Sequence, residues 1–520
     1  MQKQISVRLL PSEAASEEFI RQAASAALGT SVINLTGYKI LKRSIDARGK
    51  QPWINLTLVV WVDEPFIYRQ PVTWKMKDVR KAPRSVIIAG AGPAGLFAAL
   101  KLIELNIRPV ILERGKDVRA RRRDLALLNK EGTINPESNY CFGEGGAGTY
   151  SDGKLYTRST KRGDINRILG IFTQFGAEEN ILYDAHPHIG TNKLPAIITS
   201  MREAIVQSGG QLHFETRITD LISEGDKMSG VIAANGNSFY ADAVILATGH
   251  SARDIFEMLH RKKITVYFKP FALGVRIEHP QELIDTIQYH QPVRDPFLPP
   301  ASYSLVQQVQ DKGVFSFCMC PGGIIAPAAT NANELVVNGW SPSRRNNPFA
   351  NSGMVVTVEE KDVQHYKEYG ALAGMHFQAA VESTAFAAGG GKFVAPAQRM
   401  TDFIENRVSS SLPACSYIPG IKSTGLREVL PEFIYNSLRN AFTAFGKKMK
   451  GYLTNEAVVV ATESRTSSPV RIPRNPDSLL HPQFQNLYPC AEGAGYAGGI
   501  VSAAMDGESV ARKIAENILP

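Results

Sequence analysis

Three glycines and one acid form the pattern with the clearest chemical meaning in this 520-residue chain. Gly90, Gly92 and Gly95 follow an apolar segment, and Glu113 ends the next apolar segment, 23 residues after Gly90. In a dinucleotide-binding turn the first glycine permits a tight bend, the second lets the backbone approach a pyrophosphate, and the third lets a helix lie close to a strand. An acid roughly 20 residues further on accepts hydrogen bonds from a ribose. This spacing therefore predicts a site for an adenine dinucleotide.

The segments around the turn support this prediction. Residues 85–89 form an apolar strand, residues 93–100 open an apolar helix, and residues 108–113 form a second apolar strand. A lone glycine pattern is weak, and a purely structural βαβ unit is the alternative. The order strand, turn, helix, strand and acid nevertheless predicts a Rossmann-like unit, whose helix N-terminus holds the pyrophosphate.

A second glycine loop lies at 143–148, where Gly143, Gly145, Gly146 and Gly148 occupy four of six positions. Such a segment cannot hold a regular helix or strand, and it exposes backbone N–H groups that cradle phosphate or bind a planar ring system. A flexible surface loop is the alternative. Further along, residues 243–249 form a buried strand that ends in Thr248 and Gly249, where the chain passes close to a bound nucleotide.

Length and composition bound the rest of the protein. A chain of 520 residues exceeds one compact core, so two or three domains are expected. With 44% hydrophobic and 21% charged residues it is an ordinary globular protein. The start lacks the apolar stretch of a secretory signal and no run is long enough for a bilayer helix, so a cytoplasmic protein without a membrane partner is expected. Five cysteines are too few for a disulfide scaffold and fit a reduced compartment.

The net charge of +9 raises nucleic acid as a partner. The densest basic run comprises Lys116, Arg119 and Arg121–Arg123, with Lys447, Lys448 and Lys450 as a smaller cluster. Neither run interleaves with the aromatic series that single-strand binders use. A solvated or cofactor-facing basic face is the favoured interpretation, and a nucleic-acid surface is the alternative.

Several motifs together resemble the large flavoprotein superfamily that includes glutathione reductase, and within it the bacterial FAD-dependent dehydrogenases with an extra N-terminal domain. The matching segments are 90–113, 142–154, 247–249, 317–323, 463–469 and 490–499. The resemblance implies that the dinucleotide is FAD, that Ile218 offers backbone contact to adenine, and that the loop at 143–149 lies near the flavin ring. The implied cofactor contacts are Gly90, Gly92, Pro93, Ala94, Gly95, Glu113, Arg114, Gly145, Gly146, Gly148, Thr149, Ile218, Thr248, Gly249, Glu492, Gly493, Gly499 and Ile500.

The C-terminal part repeats a glycine pattern at Gly493, Gly495 and Gly498, but too few residues follow for a second Rossmann unit. The resemblance implies instead that Glu492, where an aspartate is commoner, binds the ribityl chain of FAD. It also implies that a helix from Gly499 through Ile514 offers its N-terminus to the flavin ring.

The fold class expected is α/β, with an interrupted Rossmann-like FAD domain at 80–262 and 462–520. An α+β insertion at 263–461 is expected to cover the flavin face where substrate reacts. It includes predicted strands at 272–277 and 335–338 and a helix at 365–388. Residues 1–78 form a small α+β domain, predicted to be ferredoxin-like, with a helix at 16–28.

The candidate catalytic residues include two cysteines in the predicted insertion. Cys318 and Cys320 are two apart on a predicted strand and so point to one face. They could be a redox pair that passes electrons to flavin or ligands of a metal, but buried structural thiols beside the flavin pocket are the favoured interpretation, and no metal is expected.

Three further features contain titratable side chains. His250 is a candidate proton donor because it follows Thr248 and Gly249. His186 and His188 are interpreted as part of a hydrogen-bonded turn, and Glu463 and Arg465 are predicted to form an ion pair.

The sequence therefore predicts an FAD-dependent oxidoreductase, a dehydrogenase that transfers hydride or electrons to or from a small-molecule substrate. NAD(P)H would bind only transiently, because the chain has no second complete Rossmann unit. A flavoprotein that modifies RNA and a redox sensor without turnover are the alternatives.

Overall fold

In a computed structural model, residues 1–70, 73–157 and 163–519 are described. The N-terminal part contains β1 (Gln2–Leu9), α1 (Pro11–Ala14), α2 (Glu17–Leu28), β2 (Leu35–Asp46) and β3 (Trp53–Val62). The three strands form an antiparallel sheet in the order β1-β3-β2. This α+β arrangement corresponds to the first half of a ferredoxin-like βαββαβ unit. Helix α2 ends at Gly29, which adopts the left-handed conformation that favours glycine.

The next part alternates strands and helices. Its elements are β4 (Ser85–Ala89), α3 (Pro93–Glu104), β5 (Arg108–Leu112), α4 (Val118–Glu131), α5 (Ile165–Gln174), α6 (Leu194–Gln207), β6 (Gln211–His213), β7 (Ile218–Glu224), β8 (Lys227–Ala233), β9 (Ser238–Tyr240), β10 (Ala243–Leu246) and α7 (Arg253–Arg261).

A largely β-structured part follows. Its strands are β11 (Tyr267–Phe268), β12 (Phe271–Pro280), β13 (Val306–Val309), β14 (Lys312–Cys320), β15 (Ile324–Pro327), β16 (Val337–Trp340), β17 (Phe349–Val358), β18 (Ala395–Arg399), β19 (Ile421–Ser423), β20 (Val458–Glu463) and β21 (Val470–Arg471). Its helices are α8 (Gln281–Tyr289), α9 (Ala373–Gly389), α10 (Met400–Glu405) and α11 (Glu432–Lys448). The chain closes with β22 (Leu487–Pro489) and α12 (Ile500–Ile518).

A five-stranded parallel sheet, in the order β22-β10-β4-β5-β6, carries the glycine turn. Strand β4 alternates its side chains between two cores. Val86 and Ile88 pack among α3 and α12 on one face, whereas Ile87 and Ala89 pack among β8 and α7 on the other. Because both faces are covered, the strand is apolar throughout. Strand β5 lies on one side of β4, and strand β10, which follows later in the chain, lies on the other. The carboxyl end of β4 is therefore the switch point where such sheets bind ligands.

Strands β6 and β7 follow each other closely in the chain but belong to different sheets. The break occurs at Glu215, whose φ of 51° takes the chain out of the extended conformation. Here the Thr216 amide donates to the Glu113 carbonyl oxygen at 2.8 Å. The bend therefore brings residues 214–217 against the end of β5.

A seven-stranded sheet, in the order β13-β14-β17-β12-β20-β18-β19, forms the centre of the part between β10 and β22. Its neighbours pair antiparallel except β18 and β19. The central strand β12 is buried along nearly its whole length, yet it contains Arg276, Glu278 and His279. Buried charges of this kind need partners, and those of Arg276 lie beside the candidate site described below.

Two predicted boundaries in this part need correction. The helix predicted at 365–388 is regular only from Ala373, because Gly370 departs from helical angles at the end of a preceding 3₁₀ stretch. The strand predicted at 335–338 is β16, which begins at Val337 and pairs with β15.

The N-terminal part attaches to the second part through the loop before residue 186. Arg43 of β2 forms a bidentate pair with Asp184 at 2.6 and 2.9 Å, and its amide donates to the Tyr183 carbonyl oxygen at 2.8 Å. Arg43 of β2 is therefore engaged in an intramolecular contact. Among the helices of the described ranges, none is both long and apolar enough to cross a bilayer.

Candidate functional site

Gly90 forms the bend directly after β4. Its φ is 104°, a conformation that favours glycine. Its amide donates to the Leu112 carbonyl oxygen at 2.8 Å, which ties the turn to β5. A Cβ at this position would lie 2.6 Å from the Ala247 carbonyl oxygen at the end of β10. Backbone angle and crowding therefore both require glycine here.

Gly92 and Gly95 serve different purposes in the turn. A Cβ on Gly95 would lie 2.0 Å from the Gly90 carbonyl oxygen, so this glycine is required by the fold itself. Gly92 has a φ of −74°, which any residue adopts, and the nearest atom to its Cβ would be the Gly146 Cα at 3.9 Å. A side chain at Gly92 would therefore project only into the space between the two glycine loops.

Glu113 joins the two loops. Its Oε2 accepts from the Ala91 amide at 2.8 Å, and its Oε1 accepts from the amides of Gly115 and Gly143, each at 2.9 Å. The carboxylate therefore holds the backbone of both loops, and a ribose would have to share oxygen atoms that already accept three hydrogen bonds.

The loop at 143–148 is anchored on both sides. The Gly145 amide donates to the Ala91 carbonyl oxygen at 2.8 Å, and Gly143, Gly145 and Gly146 all have positive φ angles. A Cβ on Gly145 would lie 2.0 Å from Thr149 Oγ1. These contacts argue against the alternative of a flexible surface loop.

Arg121 is the internal support of this loop. Its side chain is fully buried, and it donates to the carbonyl oxygens of Asn139 at 2.8 Å and of Tyr140, Glu144 and Gly146 at 2.9 Å. Burial lowers the pKa of this guanidinium below its usual range. Because Arg121 binds carbonyl oxygens on one face of the loop, the N–H groups of the loop are left for the opposite face.

The interpretation of the basic run as one exposed or cofactor-facing surface is therefore wrong for Arg121. Arg119, Arg122 and Arg123 are exposed, whereas Lys116 pairs with Asp124 at 3.0 Å. The reason is the helical period of α4, which turns one of four arginines inward.

The end of β10 carries an unsatisfied hydroxyl. Thr248 Oγ1 is buried and has no hydrogen-bond partner among the described residues. The next residue, Gly249, has a φ of 72°, and a Cβ on Gly493 would lie 2.6 Å from its carbonyl oxygen. A buried hydroxyl without a partner indicates a group that a ligand completes.

Glu492 connects this strand end to helix α12. Its carboxylate accepts from the Gly499 amide, and His250 Nδ1 lies 3.4 Å from its Oε2. Burial opposes ionisation, but His250 and the Gly499 amide together lower the pKa of Glu492. His250 Nε2 also lies 2.9 Å from the Arg465 carbonyl oxygen. His250 is therefore engaged on both ring nitrogens and positions Glu492 at the start of α12.

These segments enclose a cavity of about 390 Å³. The following predicted contact residues are in its walls: Gly90, Gly92, Pro93, Ala94, Glu113, Arg114, Gly146, Gly148, Ile218, Thr248, Gly249, Glu492, Gly499 and Ile500. His250 and Cys318 also line it. Gly95, Gly145, Thr149, Gly493 and Cys320 are not part of the lining. The crowding described above places Gly95, Gly145 and Gly493 behind the wall, where they shape it.

The cysteine pair lies at a bulge rather than on a regular strand. The register of β14 against β17 shifts between Phe317 and Cys320, and Cys318 has a φ of 46°. The expectation that the pair follows strand alternation is therefore wrong, because an irregular backbone separates the two residues. Cys318 faces the cavity, whereas Cys320 is buried, with its Sγ 3.2 Å from the Cys318 carbonyl oxygen. The residues in the described ranges include no group of three or more ligands placed to hold a metal.

The predicted ion pair between Glu463 and Arg465 is also wrong. Glu463 pairs with Arg276 at 2.7 Å, and Arg465 pairs with Glu382 at 2.8 Å. Strand β20 ends at Glu463, and Arg465 lies beyond that end, so the two side chains reach different partners. Glu382 of α9 also pairs with Arg253 of α7 at 2.9 Å. These ion pairs therefore link α9 to α7.

His186 and His188 are outside the cavity lining, although His186 packs against Tyr156 of the wall. His188 Nε2 is 3.1 Å from the Ser343 carbonyl oxygen, and the ring of His186 packs 5.0 Å from that of Tyr156. Burial, and then Arg345, lower the pKa of both histidines. The hydrogen-bonded turn predicted here agrees with these contacts.

Sequence reasoning missed three charged residues at the site: Arg121, Lys154 and Arg276. Lys154 lines the cavity beside Asp152, which is buried and pairs with Arg345 at 2.7 Å. A signal existed for Arg276, because it is the one charge inside the apolar run 271–277, and such a charge needs a buried partner.

The walls fit an adenine dinucleotide with a second ring system. Gly92, Gly249, Gly498 and Gly499 line the cavity, and a Cβ on any of them would meet no atom closer than 3.9 Å. Side chains at these four positions would therefore project into the cavity and would not collide with surrounding protein atoms. With the unpartnered Thr248 hydroxyl and the start of helix α12, this cradle suits the phosphates and ring of FAD.

Two family models of FAD-dependent proteins match parts of this chain. Residues 270–466 match the model described as FAD-dependent protein, C-terminal domain-like, and residues 190–319 match that of FAD dependent oxidoreductases. Residues 1–61 match a domain of unknown function.

Two solved structures extend over most of the chain. The structure of CtdE in complex with FAD and substrate 4 covers 84% of this chain and 83% of its own at 11% identity, with a TM-score of 0.31. A geranylgeranyl bacteriochlorophyll reductase-like protein from Thermoplasma acidophilum covers 84% of this chain and 78% of its own at 13% identity, with a TM-score of 0.34. Both values are too low to argue for a shared activity.

Sequence relatives give the firmer comparison. A thiamine thiazole synthase from Aeropyrum pernix is 26% identical over 34% of this chain and 58% of its own length. An uncharacterized protein from Clostridium beijerinckii is 39% identical over 507 residues, 94% of each chain. With the matches to the two FAD-dependent models, this relationship shows that the chain belongs to a family of FAD-dependent oxidoreductases.

Proposed function

We propose that this protein is a dehydrogenase that moves hydride or electron pairs between tightly bound FAD and a small-molecule substrate. The observation that carries the proposal is the course of the cavity. It is lined by Glu113 at the end of β5, by the glycine turn, by the start of α12, and by Cys318 from the seven-stranded sheet. A cavity built in this way offers an adenosine end, a phosphate cradle and a reactive end in one space.

The phosphate cradle consists of Gly92, the N-terminus of α3 and the Thr248 hydroxyl. The first N–H groups of a helix lack internal partners, so they bind an anion when the backbone can approach it closely. Thr248 Oγ1 gains the hydrogen bond that it lacks among the described residues. These groups bind and orient the cofactor, and they take no part in the chemistry.

The reactive end is formed by the start of α12 and by residues of the seven-stranded sheet. Bound flavin supplies hydride and electron transfer, which amino-acid side chains do not. The start of α12, held by Glu492 through Gly499, provides a positive dipole that stabilises negative charge at this end.

The substrate side is lined by Lys154, Tyr156, Phe317, Asn338 and Thr466. This mixture of two aromatic rings, one cation and neutral donors suits a small organic molecule with a polar group. We propose that NAD(P)H binds here transiently as the electron donor.

We also propose that the protein works in the cytoplasm, since its five cysteines fit a reduced compartment.

The experiment is anaerobic reduction of the purified protein. We expect a yellow protein whose flavin absorbance is bleached by one of NADH, NADPH or a panel of small alcohols, amines and hydroxy acids. A colourless protein that takes up no added FAD would refute the proposal. Gly49→Val serves as the matched control for any cavity variant, because Gly49 is exposed and a Cβ there meets no atom within 4 Å.

A further inference from the structure

The two cysteines of β14 differ in their access to the cavity. Cys318 is partly exposed and lines the cavity, whereas Cys320 is fully buried directly behind it. The Cys320 thiol donates to the Cys318 carbonyl oxygen, with its Sγ 3.2 Å from that oxygen. The bulge that places Cys318 at a φ of 46° therefore puts Cys318 in the cavity wall, with the Cys320 thiol in contact with its carbonyl oxygen.

Two cations flank this pair. Arg276 Nη2 lies 2.6 Å from the Cys318 carbonyl oxygen and 3.5 Å from Cys320 Sγ. The Lys154 ammonium donates to the carbonyl oxygen of Met319, the residue between the two cysteines. The carboxylates nearest to these cations are Glu463, 2.7 Å from Arg276, and Asp152, 3.9 Å from Lys154.

This environment shifts the pKa values of the two thiols in opposite directions. The hydrogen bond from Cys320 lowers the pKa of Cys318, with Lys154 and Arg276 acting in the same direction, and these effects outweigh burial. The same interaction raises the pKa of Cys320 well above its usual range, with burial adding to it. A thiolate at the cavity wall, next to a protonated thiol behind it, is the arrangement of a reactive dithiol.

We propose that Cys318 and Cys320 form a redox dithiol that exchanges an electron pair with the flavin, an inference that rests on the proposed function. In the oxidising direction the Cys318 thiolate and the Cys320 thiol lose two electrons and one proton and form one S–S bond. Bound FAD would supply the acceptor for these two electrons and the one proton, which balances the loss from the Cys318 thiolate and the Cys320 thiol. In the reverse direction the disulfide is the electron acceptor, and the substrate class of the protein includes thiols and disulfides that reach Cys318 from the cavity.

The first test is an anaerobic reductive titration of the FAD-loaded protein with dithionite. A flavin and a disulfide each accept two electrons, so wild type pre-treated with oxidised glutathione should take up four electrons per chain. Cys318→Ser and Cys320→Ser should each take up two. Cys415→Ser is the matched control, because Cys415 lies outside the cavity lining, and it should behave as wild type.

The second test does not depend on flavin. Free thiols are counted after denaturation in FAD-free protein that has been treated with oxidised glutathione. Of five cysteines, wild type should lose two as a disulfide within one chain, and neither serine variant should form that disulfide. This arm still reports on the dithiol if the protein fails to bind FAD, so the two proposals fail separately.

A spectroscopic signature distinguishes the two cysteines. A thiolate beside an oxidised flavin gives a long-wavelength charge-transfer absorbance. We expect this band in wild type with reduced thiols, retention of the band in Cys320→Ser, and its loss in Cys318→Ser. Uptake of only two electrons by wild type, with an unchanged thiol count after oxidation, would overturn the inference and leave the pair as structural thiols.

Discussion

The guanidinium of Arg121 donates to the carbonyl oxygen of Gly146 at 2.9 Å, from a position with no exposed surface. The same side chain collects carbonyl oxygens from residues 139, 140 and 144, and the described residues provide no carboxylate partner within salt-bridge distance. A charged side chain thus replaces the hydrogen bonds that the glycine loop cannot make within itself. Arg121 therefore supports the cavity wall from behind the glycine loop.

Substitution of Arg121 should therefore affect stability and cofactor binding together. Arg121→Met leaves several buried carbonyl groups unpaired, at about 1–3 kcal/mol each, so we expect a loss of at least about 3 kcal/mol. Urea unfolding and flavin content measure the two effects. Arg122→Met, one position along on the exposed face of α4, should stay within about 0.5 kcal/mol of wild type. Equal behaviour of the two variants would contradict the structural assignment.

Gly92→Val should separate cofactor binding from folding. The Gly92 backbone accepts any residue and its Cβ would meet no atom closer than 3.9 Å, so the thermal midpoint of the FAD-free protein should change little. The valine side chain occupies the space where a pyrophosphate approaches, and the purified variant should carry almost no flavin. Gly49→Val is the control and should keep wild-type flavin content. Full flavin content in Gly92→Val would place the nucleotide elsewhere.

Glu492 should matter more for its charge than for its size. Glu492→Gln can still accept from the Gly499 amide, but it loses the charged partner of His250. Because hydrogen bonds to charged groups contribute about 1.5–3 kcal/mol, we expect FAD affinity to fall about tenfold or more. Fluorescence titration of FAD-free protein measures it. Glu516→Gln, on the exposed far end of the same helix, should bind FAD as wild type does.

The buried network around Glu382 should make stability depend on pH. Burial disfavours its ionised form, but Arg253 and Arg465 dominate together and lower the pKa of Glu382 from 4.5 to about 2. Because the folded-state pKa is depressed, this stabilisation is complete above pH 4.5 and is lost as pH falls toward about 2. It amounts to about 3 kcal/mol at neutral pH.

Glu382→Gln tests this dependence. The variant should be destabilised relative to wild type by about 3 kcal/mol near neutral pH, and the difference should shrink at about pH 3.5. Urea unfolding midpoints at the two pH values measure it. A difference that is the same at both values would show that Glu382 does not titrate as the structure indicates.

The dinucleotide turn could be predicted because its requirements are local. Gly90 has a positive φ, and a Cβ on Gly95 would collide with the Gly90 carbonyl oxygen. Both requirements are met by glycine at a fixed spacing, which can be recognised in the sequence. The buried strand at 243–249 indicated Thr248, and the resemblance to flavoproteins added Glu492; the structure brings both residues to the same cavity. The fold class, an α/β protein with a parallel sheet, followed from the same alternation of strands and helices.

The charged partners could not be predicted, because they depend on contacts between distant segments. Glu463 and Arg465 are two positions apart, but their partners, Arg276 and Glu382, come from β12 and α9. The bulge at Cys318 is likewise set by pairing with β17 and by the contact from Arg276. No local pattern in the sequence encodes either arrangement.

The most direct test of the central claim is the flavin content of the purified protein, measured by absorbance after denaturation and compared with the protein concentration. We expect about one FAD per chain in wild type, retained through gel filtration, and almost none in Gly92→Val. A protein that carries no FAD and binds none when it is added would contradict the account.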